Sequence, residues 1–500
     1  MSTTSGCRAM VQADPQMLAA AETVVSSLNL PRGSSEFGIY NPADGRLLAT
    51  LPDLTPQEAL DAVGQADEAG RRWACRTARE RADALHAWYE LITHSAEQIA
   101  LLITLEMGKP LKESRAEVSY ASDFVRWYAE EALRPAGSFR DAPDGAPTLM
   151  VRRAPIGLAV LITPWNFPLA MATRKIAPAL AAGCPVVIKP SELTPLTTFM
   201  AVGLARQAGV PAELIQVIST TDAAGFSEAL LTDSRVRKIS FTGSTRVGKI
   251  LLRLASEQVL RPSMELGGNA PLIVFDDADL DRAIEGTYAA KMRNGGQSCI
   301  AANRIYVQDG IAEAFVEGLT EKMRDVVMGD GLGPGVGLAP LISHQAVSSV
   351  GRLVEDAVQR GASLLTRGEV IDGGEGSYFP ATVLDHVPAE AELASTEIFG
   401  PVAAIQRFTD EAEVVQRANA TEFGLAGYVF TENLDRALNV ADSLQTGLVG
   451  INQGVPSNAA APFGGLKQSG LGREGGGEGL EEYQETRFYN VARRETERGN

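Results

Sequence analysis

Four cysteines and four histidines are few for a chain of 500 residues. Cys7, Cys75, Cys184 and Cys299 lie far apart and form no CxxC pair, so neither a disulfide framework nor a zinc ribbon is expected. His86, His94, His344 and His386 include no HExxH and no close pair at ligand spacing. That leaves little material for a metal site or a histidine-based triad, and no metal is expected. Positive charge is also in deficit: 45 Lys and Arg against 62 Asp and Glu give a net charge of −17. So acidic a surface repels phosphate backbones and anionic membranes, and neither nucleic acid nor a membrane is expected as a partner. The opening residues MSTTSGCRAM contain no basic region leading into an apolar core, so no secretory signal is read and a reducing cytoplasm is the expected setting. The longest uncharged run, Ala154 to Thr173, is broken by Pro155, Pro164, Asn166 and Pro168. It reads as strand, loop and helix start rather than a membrane span.

What is present is ordinary for a folded enzyme: 45% hydrophobic and 21% charged residues. At roughly 150 residues per domain the length suggests about three domains. Residues 1–35 are polar and patternless, and a loose arm is expected there. From Thr55 to about Arg134 apolar residues recur at helical spacing, with Thr55-Pro56-Gln57-Glu58 reading as a helix start. Residues 135–152 are rich in Pro, Gly and Asp and carry an Asp144-Gly145 turn, which predicts a β-hairpin. Short apolar runs then alternate with helices: Leu158–Ile162, Val186–Lys189, Leu214–Ile218 and Ile239–Phe241. A second series comprises Pro271–Phe275, Arg304–Val307, Val402–Ile405, Tyr428–Phe430 and Leu448–Asn452. The alternation predicts an α/β protein with two parallel sheets covered on both faces.

Several short patterns carry chemistry. Gly243-Ser-Thr-Arg-Val-Gly248-Lys249 matches a phosphate loop until Ile250, which cannot offer the hydroxyl that binds Mg²⁺. What survives is a strand, a glycine turn and a helix N-terminus, either a plain βα turn or a phosphate cradle. Gly470-Leu-Gly472-Arg-Glu-Gly475 and Gly331-Leu-Gly333-Pro-Gly335 follow no strand and read as loops. Cys299 sits in Asn294-Gly-Gly-Gln-Ser-Cys. An isolated cysteine is ordinarily an inert buried thiol, but small neighbours let a ligand approach a nucleophile. Glu265, in Met-Glu-Leu-Gly-Gly-Asn, is either a cap or a carboxylate tuned upward for base catalysis. Asn166, between Trp165 and Phe167, is either a turn residue or an oxyanion donor. All three stand at strand-to-loop transitions, where open α/β sheets bind ligands. A thiol, a base and an amide donor together suit acyl-thioester chemistry.

The runs PWNFP (164–168), KPSELTP (189–195), FTGSTRVG (241–248), MELGGN (264–269), GGQSC (295–299), EIFGP (397–401) and PFGGLKQSGLGRE (462–474) resemble those of the NAD(P)-dependent aldehyde dehydrogenase superfamily, in order from about residue 35 to 490. The resemblance implies that Cys299 is the nucleophile and that Asn166 and the Cys299 N–H hold the oxyanion. It also implies that Glu265 activates water and that Lys175 assists with the ribose or with proton transfer. Implied cofactor contacts are Trp165, Lys189, Glu192, Gly243, Ser244, Leu266, Glu397 and Phe399. A carboxylate at Glu192 would repel a 2′-phosphate, so NAD is favoured over NADP, which stays possible. Within the superfamily the sequence is most similar to succinate-semialdehyde dehydrogenases, through Arg174, Arg293 and Ser457. At the matching positions that group clamps the distal carboxylate of its substrate, in keeping with the bidentate fit of guanidinium to carboxylate. Two departures stand out. Ala301 takes the place where many relatives carry a second cysteine, so no redox disulfide is expected. Pro456 and Asn458–Ala461 differ in a loop that bears on chain length, which keeps glutarate semialdehyde as an alternative, beside general aliphatic or aromatic aldehydes.

The resemblance further implies a Rossmann-like cofactor domain (1–134, 153–266 and 448–468) and a catalytic domain (267–447). Segments 135–152 and 469–500 would bridge subunits of a homodimer or homotetramer. The rival from another class is a thiol hydrolase or esterase without redox function, which would need Cys299 and Glu265 but no dinucleotide.

Overall fold

A computed structural model describes residues 10–134, 136–144, 147–367 and 375–492. The chain begins with helix α1 (Pro15–Ser27) and a hairpin of β1 (Glu36–Tyr40) and β2 (Leu47–Pro52). Four helices follow: α2 (Pro56–Ala74), α3 (Ala78–His94), α4 (Ala96–Met107) and α5 (Leu111–Glu131). In α2 and α3 the threonines Thr55 and Thr77 cap the third backbone N–H, while Glu58 and Glu80 return the bond to the cap. These reciprocal boxes fix where each helix starts.

Next come β3 (Ser138–Asp141), β4 (Pro147–Pro155), β5 (Leu158–Ile162), α6 (Pro168–Ala182), β6 (Val186–Lys189), α7 (Leu196–Gln207), β7 (Ile215–Val217), α8 (Ala223–Leu231), β8 (Val236–Thr242), α9 (Thr245–Ser256) and β9 (Arg261–Glu265). Strands β5 to β9 make a sheet in the order β9-β8-β5-β6-β7, all parallel. β5 and β6 are almost wholly buried runs of Leu, Ala, Val and Ile, as strands covered on both faces must be. The chain runs outward from β5 in both directions, so a crevice opens beyond the ends of β5 and β8. Two buried indoles tie the helical layer to the helices that cover this sheet: Trp73 of α2 donates to Leu180 O of α6 and Trp88 of α3 to Ala201 O of α7, each at 2.9 Å.

A second sheet is built from β10 (Ala270–Val274), then, after helix α10 (Leu280–Met292), β11 (Ala302–Gln308), β12 (Ser363–Arg367), β13 (Thr382–Asp385), β14 (Val402–Phe408), β15 (Ala426–Phe430) and β16 (Leu448–Ile451). Its order is β12-β13-β14-β11-β10-β15-β16, with only β12 antiparallel. Finally, β17 (Gly470–Leu471) adds antiparallel to β9, and β18 (Gln484–Ala492) pairs with β4 over nine residues beside β3. Two parallel α/β sheets are thus as expected, and the 135–152 segment contributes the hairpin β3–β4. Gly145 of its expected turn lies outside the described residues.

Three readings differ. Residues 15–27 are a helix, not a loose arm: Asp14 caps the N–H groups of Gln16 and Met17, and Ala21 and Val24 are buried. Its alanine-rich face carries too weak a periodicity to be read. Leu448–Ile451 pairs with β15 in the seven-stranded sheet, as its place in the second apolar series predicts, whereas the implied boundary that puts 448–468 with the cofactor domain cuts across that sheet. Gly470–Leu471, read as loop, extends the other sheet. A Cβ at Gly470 would lie 2.0 Å from Met264 O, so only glycine permits that pairing. Among the described residues no helix is long and apolar enough to cross a membrane.

Trp88→Phe removes the donor to Ala201 O and is expected to cost about 1–2 kcal/mol, read as an earlier urea midpoint; an unchanged midpoint would discount the fastening role.

Candidate active site

The crevice holds a cavity of about 250 Å³, and Cys299 lies on its wall. The turn that delivers the thiol is left-handed, with φ of 55°, 60° and 77° at Asn294, Gly295 and Gly296. A Cβ on Gly296 would meet Gly400 O at 2.1 Å, and one on Gly268 would meet Cys299 O at 2.4 Å. The glycines of both motifs are therefore required by close backbone approach. Asn166, in the β5–α6 loop, donates from Nδ2 to Gln297 O at 3.0 Å. Asn294 Nδ2 donates to the same carbonyl (3.1 Å) and to Asn166 O (2.9 Å). The amide loop and the thiol loop are thus stitched together, and one Nδ2 hydrogen of Asn166 is left over. Burial first, then the charge of Glu397, pushes the Cys299 thiol up to about 12, with Arg174 opposing. The resting thiol is protonated.

Glu265 ends β9 and is buried, with neither carboxyl oxygen hydrogen-bonded. Burial, reinforced by the charge of Glu474, raises its pKa well above the ordinary value. Glu474 lies between two residues of α6. Its Oε2 is 2.5 Å from Arg174 Nε, and its Oε1 accepts from Lys175 Nζ, which also donates to Ser240 Oγ at 3.0 Å. Burial opposes a charge on Glu474, but Arg174 and Lys175 outweigh it and hold the carboxyl below its ordinary value. Burial pulls Lys175 down against that pairing. Arg174 is sealed by the rings of Phe463 (4.4 Å) and Phe124 (5.9 Å) and donates to Met171 Sδ at 3.2 Å. Arg293, just after α10, stacks on Phe167 at 4.9 Å and Tyr120 at 5.7 Å and makes no salt bridge among the described residues. Arg174 is thus paired with Glu474, while Arg293 stays without a salt bridge among the described residues.

On the other side Trp165 meets Phe399 edge-on at 5.4 Å, with Phe399 held at φ 52°. Glu397 accepts from Gly268 N at 3.2 Å; burial lifts it to about 7. Gly243 and Ser244 form the turn into α9, where Ser244 Oγ accepts from Val247 N. A Cβ on Gly243 would strike the Phe241 ring at 2.5 Å. Backbone N–H groups at that helix start suit a phosphate, and Glu397 suits a ribose hydroxyl, so these residues fit a dinucleotide.

The cavity wall thus unites Trp165, Asn166, Arg174, Gly243, Ser244, Leu266, Arg293, Cys299, Glu397, Phe399 and Ser457. Glu265 and Lys175 lie behind it, fully buried. Lys189 and Glu192 stand apart at the end of β6, 3.3 Å from each other, with Glu192 partly exposed. Sequence reasoning gave no role to Glu474, Tyr120, Phe167 or Phe463. All but Tyr120 stood inside a quoted motif, but the partners of Glu474 and Phe463 are about 300 positions away, beyond any periodic signal.

Alkylation of Cys299 by iodoacetamide in the cofactor-free protein should accelerate about tenfold per pH unit between about pH 7 and 9, followed by peptide mass spectrometry. A rate flat over that range would contradict the raised thiol.

Residues 30–489 match the aldehyde dehydrogenase family. The chain is 49% identical to the succinate-semialdehyde dehydrogenase of Paenarthrobacter nicotinovorans, over 89% of this chain and 99% of that protein. It is 46% identical to the glutarate-semialdehyde dehydrogenase of Pseudomonas putida, over 90% and 93%. The crystal structure of an NADP-dependent enzyme of Escherichia coli superimposes with a TM-score of 0.90 at 45% identity, over 92% of this chain and 95% of that one. Fold, site and likeness agree, and the chain belongs to the aldehyde dehydrogenase family, whose members oxidise aldehydes with NAD(P).

Proposed function

We propose that this chain oxidises a short aldehyde bearing a distal carboxylate, succinate semialdehyde in the first place, to the corresponding acid. The observation that carries the reading is the placement of Arg174, Arg293 and Ser457 on the same cavity as Cys299. Arg174 is already paired with Glu474, so Arg293, half-buried on the cavity wall and without a salt bridge among the described residues, is the guanidinium open to a ligand carboxylate.

In this reading Cys299 Sγ adds to the aldehyde carbon and gives up its proton. The oxyanion that forms accepts from the free Asn166 Nδ2 hydrogen and the Cys299 N–H. A nicotinamide dinucleotide bound in this cavity would supply the hydride acceptor needed for the adduct to become a thioester on Cys299. Trp165, Gly243, Ser244, Leu266, Glu397 and Phe399 line its place in the cavity, with Lys189 and Glu192 reaching the adenosine ribose. Glu265 then takes a proton from water, the hydroxyl adds to the acyl carbon, and the C–S bond breaks to release acid and restore the thiol. A carboxyl whose pKa is raised by burial is the stronger base once ionised. Lys175 and Glu474 stand behind it and set its charge state.

A second reading, glutarate semialdehyde, is favoured by Pro456 and Asn458–Ala461 beside Ser457 and by the Pseudomonas relative. The Glu192 carboxylate supports NAD as the better cofactor. The six-stranded sheet is read as the cofactor domain and the seven-stranded one as the catalytic domain. We also infer that β3, β4 and β18 join copies of the chain into a dimer or tetramer, since β3 is an exposed edge and Phe139 and Phe488 face solvent.

Arg293→Ala should raise KM for succinate semialdehyde about tenfold or more beyond any change for butanal. Steady-state kinetics on both aldehydes decide it, and equal effects would remove the clamp. Glu192→Ser should narrow the preference for NAD over NADP about tenfold, read from the two Kd values by fluorescence; an unchanged ratio would clear Glu192 of that role.

A further inference from the structure

Behind the Asn166 loop lies a second buried ion pair that the chemistry above does not use. Lys109 Nζ is 2.6 Å from Glu117 Oε2, and both side chains are sealed from solvent. The same ammonium donates to Asn166 O at 2.7 Å. That carbonyl also accepts from Asn294 Nδ2 at 2.9 Å, so both of its lone pairs are engaged. Glu117 Oε1 accepts from the backbone of Leu169 (2.9 Å) and Ala170 (3.2 Å), in the first turn of α6. Lys109 Nζ further rests 4.0 Å from the centre of the Phe167 ring, on which Arg293 also stacks. One turn earlier on α5, Glu113 accepts from Asn294 N, at the start of the thiol loop.

These contacts converge on one peptide. With its carbonyl pinned from two sides and the following helix start held by Glu117, Asn166 has no freedom to turn its side chain away from the thiol. Buried ion pairs are poor sources of stability, because desolvation offsets their attraction. Their value lies in geometry when they fix a group that must be aimed.

We propose that Lys109 and Glu117 are positioning residues for the oxyanion amide: they hold the Asn166 peptide so that its Nδ2 stays directed at the carbonyl undergoing attack. The proposal rests on the reading of Asn166 as oxyanion donor. Lys109 does not line the cavity; it meets the site through the Asn166 carbonyl and the Phe167 ring.

A double-mutant cycle with succinate semialdehyde and NAD tests this in the full-length protein. Lys109→Met is made alone and, to avoid an unpaired buried carboxylate, together with Glu117→Gln; whichever folds carries the test. The expected result is a kcat lower by about 30-fold, less than the roughly 100-fold for Asn166→Ala. Kd for NAD should stay within about twofold, since the residues assigned to the dinucleotide are untouched. Added to Asn166→Ala, the same substitution should cost no further activity, because the group it positions is gone. A loss that multiplies in the Asn166→Ala background, or one that falls on NAD binding instead of kcat, overturns the proposal while leaving the oxyanion reading intact. Should Asn166→Ala alone keep the original kcat, the oxyanion reading fails and takes this proposal with it.

Discussion

Glu474 lies between Arg174 and Lys175, all three out of reach of bulk water, and the electrostatics of the cavity floor follow from that contact. Removing one partner of a buried pair typically costs about 3–5 kcal/mol, because it strands a charge. Here the stranded charge would be an arginine that faces the cavity and a lysine that faces the base. The same carboxylate also bears on Glu265 and helps keep it protonated at rest. One group thereby sets the state of two others with different tasks: a cation that meets the incoming molecule and a carboxyl that later handles water. The arrangement is economical in residues but leaves little room for independent substitution.

The second constraint is steric. The thiol loop turns through three consecutive left-handed residues, and two backbone approaches near it exclude any side chain. Those are demands on glycine, and they explain why GGQSC and MELGGN are readable as motifs at all. The chemistry sits in segments where backbone shape and residue identity are the same requirement.

Legibility in the sequence follows this division. The two sheets could be read because their strands are uniformly apolar and alternate with helices. Cys299, Glu265 and Asn166 could be read because each interrupts an apolar or glycine-rich run. Glu474 carried no role in that reading, since its partners lie on a helix almost 300 residues earlier. Lys109 and Glu117 carry no motif, and only the packed fold shows that Lys109, in the loop before α5, and Glu117, on α5, meet beside the Asn166 loop. Leu448–Ile451 could be read as a strand of the second series, but the domain boundary implied at 448 could not be checked from an isolated apolar run. Helix α1 was missed because small residues give little periodic contrast.

The C-terminal segment supplies three separate closures: Glu474 in the floor, β17 at the edge of one sheet, and β18 along nine residues of β4. Arg174 and Lys175 are made 299 to 300 positions earlier than the carboxylate that neutralises them. At roughly 5–20 residues per second of translation, the nascent chain carries two uncompensated interior cations for tens of seconds. During that time α6 cannot settle into its final dry surroundings. Closure of the centre therefore waits on chain made some 300 positions after α6.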